Sequence, residues 1–159
     1  MRVIELPNEI SILLNVGAWF IIHLAVSVCT LKLPRRFFER DNSLYRIRKW
    51  EASGRIWQQI ARVKAWKHWI PDGTIFLKRG FNKSKLNGSD KTSLLIFIQE
   101  SRRAELAHWL SMAPAVLFFL WNPAWAGWLM VVYALLFNVP IIIAQRYNRP
   151  RLQRLIDRI

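Results

Sequence analysis

The chain has 159 residues, a formal net charge of +14 and a single cysteine. That length allows one domain, and a lone Cys29 excludes an intrachain disulfide. Hydrophobic residues make up 53% and charged residues 21%, but the two kinds are segregated along the chain, which argues against a soluble domain that mixes them at a helical or strand period.

The first apolar run is Ile10 to Leu31, 22 residues without a charge. At 1.5 Å per residue it covers roughly 33 Å, enough for a hydrocarbon core of about 30 Å. Pro7 and Asn8 mark its entry, and Lys32, Pro34, Arg35 and Arg36 its end. Arg2 is outweighed by Glu5 and Glu9, and Val28 is too large for a lipoprotein cleavage site before Cys29. The run therefore reads as an uncleaved anchor.

Lys32 to Arg103 carries 18 Lys and Arg against 6 Asp and Glu, a net of +12. Within it, Trp50, Trp57, Ile60, Val63 and Trp66 recur at roughly helical spacing, with basic residues between them. Ser43 to Trp69 is expected to form an amphipathic helix at the membrane surface, interrupted at Gly54 and ended by Pro71-Asp72-Gly73. Thr74 to Thr92 reads as a loop, and Ser93 to Arg103 resumes a helical pattern.

The second apolar run, Leu106 to Trp121, has 16 residues, which is short for a span. It must borrow the turn before it, so the span is expected at about 104–121. Asn122-Pro123 is a tight turn, and Trp125 to Ala144 is a third span of 20 residues. The tail, Gln145 to Ile159, has five arginines and one aspartate.

These elements describe one all-α integral membrane domain over 1–159, with about three transmembrane helices and an interfacial helix. Basic loops stay inside. The segment 32–103 and the tail are therefore expected on the cytoplasmic face of a bacterial-type cell membrane, with the N-terminus and the Asn122 turn outside. Trp121, Trp125 and Trp128 would form an outer aromatic belt. A basic face with interleaved aromatics is also how single-stranded nucleic acid is held. Basic residues beside membrane spans instead satisfy topology and bind anionic lipid, so membrane lipids are expected as partners and nucleic acid is not.

The densest group of reactive side chains is Glu100, Arg103, Glu105 and His108, where the basic segment enters the second span. At about 100° per residue, with Glu100 at zero, Arg103 falls near 300°, Ser111 near 20°, His108 near 80° and Glu105 near 140°. Ionisable groups at membrane depth are expensive and mark function. The plainer reading is a snorkelling interface in which arginines reach headgroups and carboxylates pair with them. Glu105-Leu-Ala-His108 also matches Glu-x-x-His, one half of what a di-iron bundle uses. The chain's other histidines, His23 and His68, lie in other segments, so no metal and no cofactor are expected. Asn15 and His23, inside the first span, should hydrogen-bond to another helix, with Asn138 as the natural partner.

Several blocks occur in a familiar order: Trp50-Glu51-Ala-Ser-Gly54, Val63-Lys64-Ala-Trp66-Lys67, Pro71-Asp72-Gly73, Glu100-Ser-Arg-Arg103-Ala-Glu105-Leu-Ala-His108-Trp109, Asn138-Val-Pro140 and Gln145-Arg146-Tyr147-Asn148-Arg149-Pro150-Arg151. Together they resemble the glycosyl-4,4'-diaponeurosporenoate acyltransferase family over about Trp50 to Arg151. The resemblance implies a small membrane enzyme that esterifies a sugar hydroxyl of a carotenoid glycoside with a fatty acyl chain.

That chemistry fits the residues. The unperturbed pKa of histidine suits His108 to the role of general base, and Glu105 or Glu100 would orient its ring. Arg103, Arg146 and Arg149 would hold an anionic acyl donor, an acyl-CoA or a lipid. Asn148 or Asn138 would donate to the oxyanion. Trp50, Glu51, Trp66 and Asp72, from the shared blocks, join the expected substrate-binding set. Two other readings compete: a small non-catalytic subunit that binds anionic lipid or a larger enzyme, and a metal-dependent lipid-modifying enzyme built on Glu105 and His108.

Overall fold

A computed structural model describes residues 4–69 and 91–159. Asp72, the Pro71-Asp72-Gly73 turn and nearly all of the expected 74–92 loop lie outside the described residues. Within the described residues the secondary structure is helical throughout, and two helices are long and apolar enough to cross a membrane. The chain divides into two compact units.

Unit 1 comprises residues up to Pro34 together with Leu106–Ile142. Its first element is α1, Asn8–Lys32. Pro7 precedes the helix with extended backbone, Glu9 lies in the first turn and Lys32 in the last, each matched to the helix dipole. The helix stops because Leu33 precedes Pro34 and is forced out of the helical region, to φ −64° and ψ 133°. Much of the apolar surface of α1 faces outward: Leu13 is 73% exposed and Phe20 68%.

The expected second span is not one α-helix. Helix α4, Lys91–Met112, gives way to a 3₁₀ helix over Ala113–Leu120. Pro114 lacks an N–H and its ring crowds the carbonyl four residues back, which favours the change to 3₁₀ here, although the long helix that follows carries Pro140 and Pro150 without breaking. Asn122 then turns the chain, its backbone N–H donating to the Phe118 carbonyl at 3.1 Å. Helix α5, Ala124–Ile156, follows; it absorbs the third apolar run and most of the tail in 33 residues.

The core of unit 1 is Trp19, Ala115, Phe118 and Ala134, with Trp19 stacked on Phe118 at 4.6 Å. A Cβ on Gly127 would lie 2.5 Å from the Phe119 ring, so glycine is what lets that ring approach α5. Asn15 does not pair with Asn138. Its Nδ2 donates to Asn122 Oδ1 at 3.0 Å, and its Oδ1 accepts from Asn122 Nδ2 at 2.8 Å and Trp121 Nε1 at 2.7 Å. Trp121 is thus tied into the unit, while Trp125 and Trp128 are exposed.

Unit 2 comprises Arg35–Glu105, as far as described, and Ile143–Ile159. The single amphipathic helix expected over 43–69 is instead four short pieces: a 3₁₀ turn at Lys49–Gly54, α2 at Arg55–Ala61, α3 at Val63–Trp66 and a 3₁₀ turn at Lys67–Trp69. Left-handed residues break it, namely Ala52, Ser53 and Gly54 in succession and then Arg62. The breaks fold the segment back on itself, so its tryptophans divide. Trp57 and Trp66 pack around Val63, Ala144 and Tyr147, while Trp50 and Trp69 are exposed. A second cluster joins Leu94 and Ile98 of α4 to Leu152 and Ile156 of α5.

Candidate functional site

In unit 2, two glutamates and two arginines are buried together. The turn at Lys49–Gly54 supplies Glu51, α4 supplies Glu105, and α5 supplies Arg146 and Arg149. Arg146 grips Glu51 with two donors, Nε to Oε2 at 3.0 Å and Nη2 to Oε1 at 2.5 Å. Its Nη1 donates to Glu105 Oε1 at 2.6 Å, and the remaining N–H groups reach the Leu44 and Arg46 carbonyls. All five guanidinium N–H groups are therefore engaged. Glu51 also accepts from the Arg48 backbone N–H at 2.8 Å and from Trp57 Nε1 at 2.9 Å. The second oxygen of Glu105 accepts from Arg149 Nη2, and Arg149 Nη1 donates to the Tyr45 carbonyl at 2.8 Å.

Burial raises the Glu51 pKa, but the Arg146 hydrogen bond, the Arg48 N–H, the Trp57 indole and the Arg146 charge together hold it below the ordinary carboxylate value. Burial likewise works against the charge on Arg146, and its two carboxylates outweigh it, leaving the guanidinium pKa raised. The four groups carry two positive and two negative charges, so the cluster is neutral and each charge is paired.

Gly54, at the end of the turn that carries Glu51, lies close against α5. Pro150 has no N–H to offer the Arg146 carbonyl one turn back in α5. Gly54 sits against that carbonyl and the next; a Cβ there would lie 3.2 Å from both Arg146 O and Tyr147 O.

In unit 1, His108 Nδ1 lies 2.8 Å from Asn138 Oδ1. Asn138 is fully buried, and its Nδ2 donates to the Ala134 carbonyl at 2.8 Å. A carbonyl oxygen accepts only from an N–H, so this contact fixes the amide with its oxygen toward the imidazole. A neutral His108 therefore carries its proton on Nδ1 and its lone pair on Nε2. His23 stacks on Trp19 at 5.5 Å and faces Phe137 at 5.3 Å; its Nε2 is buried without a hydrogen-bond partner among the described residues.

The remaining expected residues find other partners. Glu100 takes Arg103 as an ion pair, with Arg103 Nη1 to Oε2 at 2.6 Å, and the Arg103 guanidinium lies 5.0 Å over the Phe38 ring. Asn148 Oδ1 accepts from Lys67 Nζ at 3.1 Å. Trp66 Nε1 donates to the Ala61 carbonyl at 2.6 Å, and Trp50 meets Trp57 edge to face at 5.4 Å. The expected orienting role of Glu105 and Glu100 toward the His108 ring meets carboxylates held by arginines, and Asn138 holds the ring instead. Arg146, expected to carry an anionic donor, has no donor left to offer. Asn138, expected for an oxyanion or for Asn15 and His23, has both ends of its amide engaged. Tyr45, which sequence reasoning passed over, is fully buried beneath the Arg149 guanidinium; nothing in its local spacing signals this. Among the described residues, no three His, Cys, Asp or Glu side chains gather as a metal site.

The family model described as glycosyl-4,4'-diaponeurosporenoate acyltransferase, CrtO, matches residues 34–158. The chain belongs to this acyltransferase family. The protein named glycosyl-4,4'-diaponeurosporenoate acyltransferase of Staphylococcus haemolyticus (strain JCSC1435) is 38% identical over 141 residues, covering 89% of this chain and 82% of that one. Its namesake from Staphylococcus aureus (strain bovine RF122 / ET3-1) is 33% identical over 138 residues, covering 87% of this chain and 83% of that one. No solved structure matches. The matched span of the family model holds all four members of the buried charge cluster and both members of the His108–Asn138 pair.

Proposed function

We propose that this chain is an integral membrane acyltransferase that esterifies a sugar hydroxyl of a carotenoid glycoside, or of a closely similar polar-headed lipid, with a fatty acyl chain at the cytoplasmic leaflet. The names of its relatives support the substrate class. The observation that carries the mechanism is the 2.8 Å contact between His108 Nδ1 and Asn138 Oδ1. It leaves Nε2 as the lone-pair nitrogen, which is what a general base needs.

In this reading His108 Nε2 accepts the proton of the sugar hydroxyl as its oxygen attacks the acyl carbonyl. The bond from that carbonyl to the donor's leaving atom breaks, and the imidazolium returns the proton to the leaving group. Asn138 holds the ring and favours the charged imidazole as it forms.

The three-span topology belongs to the same proposal, with spans at about 10–31, 104–121 and 125–144. The charge asymmetry supports the N-terminus outside and residues 32–103 inside. A 3₁₀ helix rises about 2.0 Å per residue, so Leu106–Leu120 covers roughly 26 Å, more than the same residues would as α-helix. That eases the shortness of the second run.

The test is acyl transfer by purified protein in nanodiscs, with a carotenoid glucoside as acceptor and lipid products read by mass spectrometry. His108→Ala should lower the rate by about 10²–10⁴-fold with folding and insertion intact. Near wild-type turnover in that variant would remove the general base.

A further inference from the structure

The polar portion of unit 2 contains a cavity of about 490 Å³ that the reaction scheme has not used. Cavities of 300–1,000 Å³ hold small molecules and cofactors. Five basic residues line this one, Arg48, Lys49, Arg102, Arg149 and Arg154, against one acid, Asp41. Asp41 is already paired with Arg102 Nη2 at 2.5 Å.

Two of the five arginines and lysines are themselves buried. Arg102 is 7% exposed, and its Nη1 donates to the Phe38 and Glu39 carbonyls at 2.7 and 2.9 Å. Arg149 is 4% exposed and is anchored to Tyr45 and Glu105. Each has a buried Nε–H with no acceptor among the described residues. Buried guanidinium N–H groups are costly to leave unmatched, and anchored arginines recognise phosphate with little loss of side-chain entropy. The rim residues Lys49 and Arg154 are exposed.

Part of the lining has strained backbone. Ala52 and Ser53, both lining residues, adopt φ of 46° and 55°, the left-handed region that side chains with a Cβ avoid. Such backbone persists where surrounding structure over-determines it, and it clusters at ligand sites.

We propose that this cavity binds phosphate groups, and that in the working enzyme they belong to the carrier of an activated acyl donor. The inference rests on the acyl-transfer reading. A free carboxylic acid does not acylate a hydroxyl unaided, so the acyl group must arrive activated, as a thioester or an ester. A soluble thioester carrier bearing phosphates offers the negative charge that this lining lacks. An anionic phospholipid headgroup offers the same phosphate chemistry, and the experiment separates the two.

The full chain is placed in nanodiscs of zwitterionic lipid, and binding of adenosine 3′,5′-bisphosphate is measured by calorimetry at two salt concentrations. Saturable, salt-sensitive binding is expected, weakened about tenfold or more in Lys49→Ala/Arg154→Ala, since each substitution removes a charge-assisted contact. In turnover, the same variant should raise KM for a phosphate-bearing acyl thioester by a similar factor with kcat unchanged. Absence of bisphosphate binding by a wild-type protein that still turns over the thioester would overturn the cavity assignment and leave acyl transfer standing. Bisphosphate binding without turnover of any donor would support the phosphate site and sink the acyl-transfer reading. Binding to phosphatidylglycerol vesicles, lost in the double variant and with no bisphosphate binding, would assign the cavity to lipid headgroups and overturn the donor half of the proposal.

Discussion

Asn138 fixes the tautomer of His108: its amide nitrogen donates to the Ala134 carbonyl, so its oxygen must face the imidazole Nδ1, 2.8 Å away. The two residues are thirty positions apart, on α4 and α5, and Asn138 is fully buried, where a misdirected amide would find no water to correct it. Asn138→Ala should therefore lower kcat by about 10–10³-fold, through loss of the reactive tautomer and of support for the imidazolium. KM should stay close to wild type, because the amide touches the ring and not the substrate. The measurement is steady-state acyl transfer alongside a melting curve; an unchanged kcat would remove the positioning role.

The charge cluster makes a stability prediction. Glu51→Gln takes one charge from a buried, fully hydrogen-bonded pair and leaves Arg146 with a deficit, at a cost of about 3–5 kcal/mol. Unfolding in detergent, followed by near-ultraviolet circular dichroism, should show a drop in Tm. Arg146→Lys should fail to rescue the native Tm, because an ammonium has three donors where five are in use.

Glu51 also sets an acid limit. Its pKa is below the ordinary 4.5 in the folded protein. Its contribution to stability is therefore complete above that value and is lost as pH falls through the lowered one. Tm should be insensitive to this group above about pH 5 and should decline below it. The Glu51→Gln variant should show a shallower decline, and identical slopes would exclude Glu51 as the cause.

Gly54→Ala tests the close approach to α5. The added methyl would press on two backbone carbonyls at 3.2 Å, at a position where φ is +81°. A loss of about 1–3 kcal/mol is expected. Gly17→Ala meets nothing within 4 Å and should be neutral or slightly stabilising, which makes it the control.

Topology can be read chemically. In a Cys29→Ser background, Ala124→Cys should react with a membrane-impermeant maleimide from outside intact cells, and Ser43→Cys only after permeabilisation. Equal labelling of both from outside would sink the three-span arrangement.

The long apolar elements were legible in the sequence because hydrophobic length and bounding charges carry that signal. Helix α1 begins and ends within two residues of the run from Ile10 to Leu31, and Asn122-Pro123 turns where turn chemistry placed it. The segment around Trp50 to Trp69 was misread because spacing reports a helical face and not its continuity; Gly54 was visible as a break, whereas positive φ at Ala52, Ser53 and Arg62 follows from packing that no local pattern announces. Helical angles brought Glu100, Arg103, Glu105 and His108 to one side, yet Glu100 and Arg103 pair with each other, Glu105 pairs with Arg146 and Arg149, and His108 meets Asn138. Glu51 and Arg146 are 95 positions apart, and a pairing at that distance leaves no periodicity to find. The basic cavity was hidden for the opposite reason, since Arg48 and Lys49 stand in a segment where 18 residues are basic.

The arginines of the cluster come late in the chain and their carboxylates come early. During synthesis Glu51 and Glu105 emerge first and stay without counter-charges until translation has passed Arg146 and Arg149. Nascent chains halted before that point would hold two acids that favour water over a packed interior. The charge cluster of unit 2 can therefore close only after Arg149 has been added.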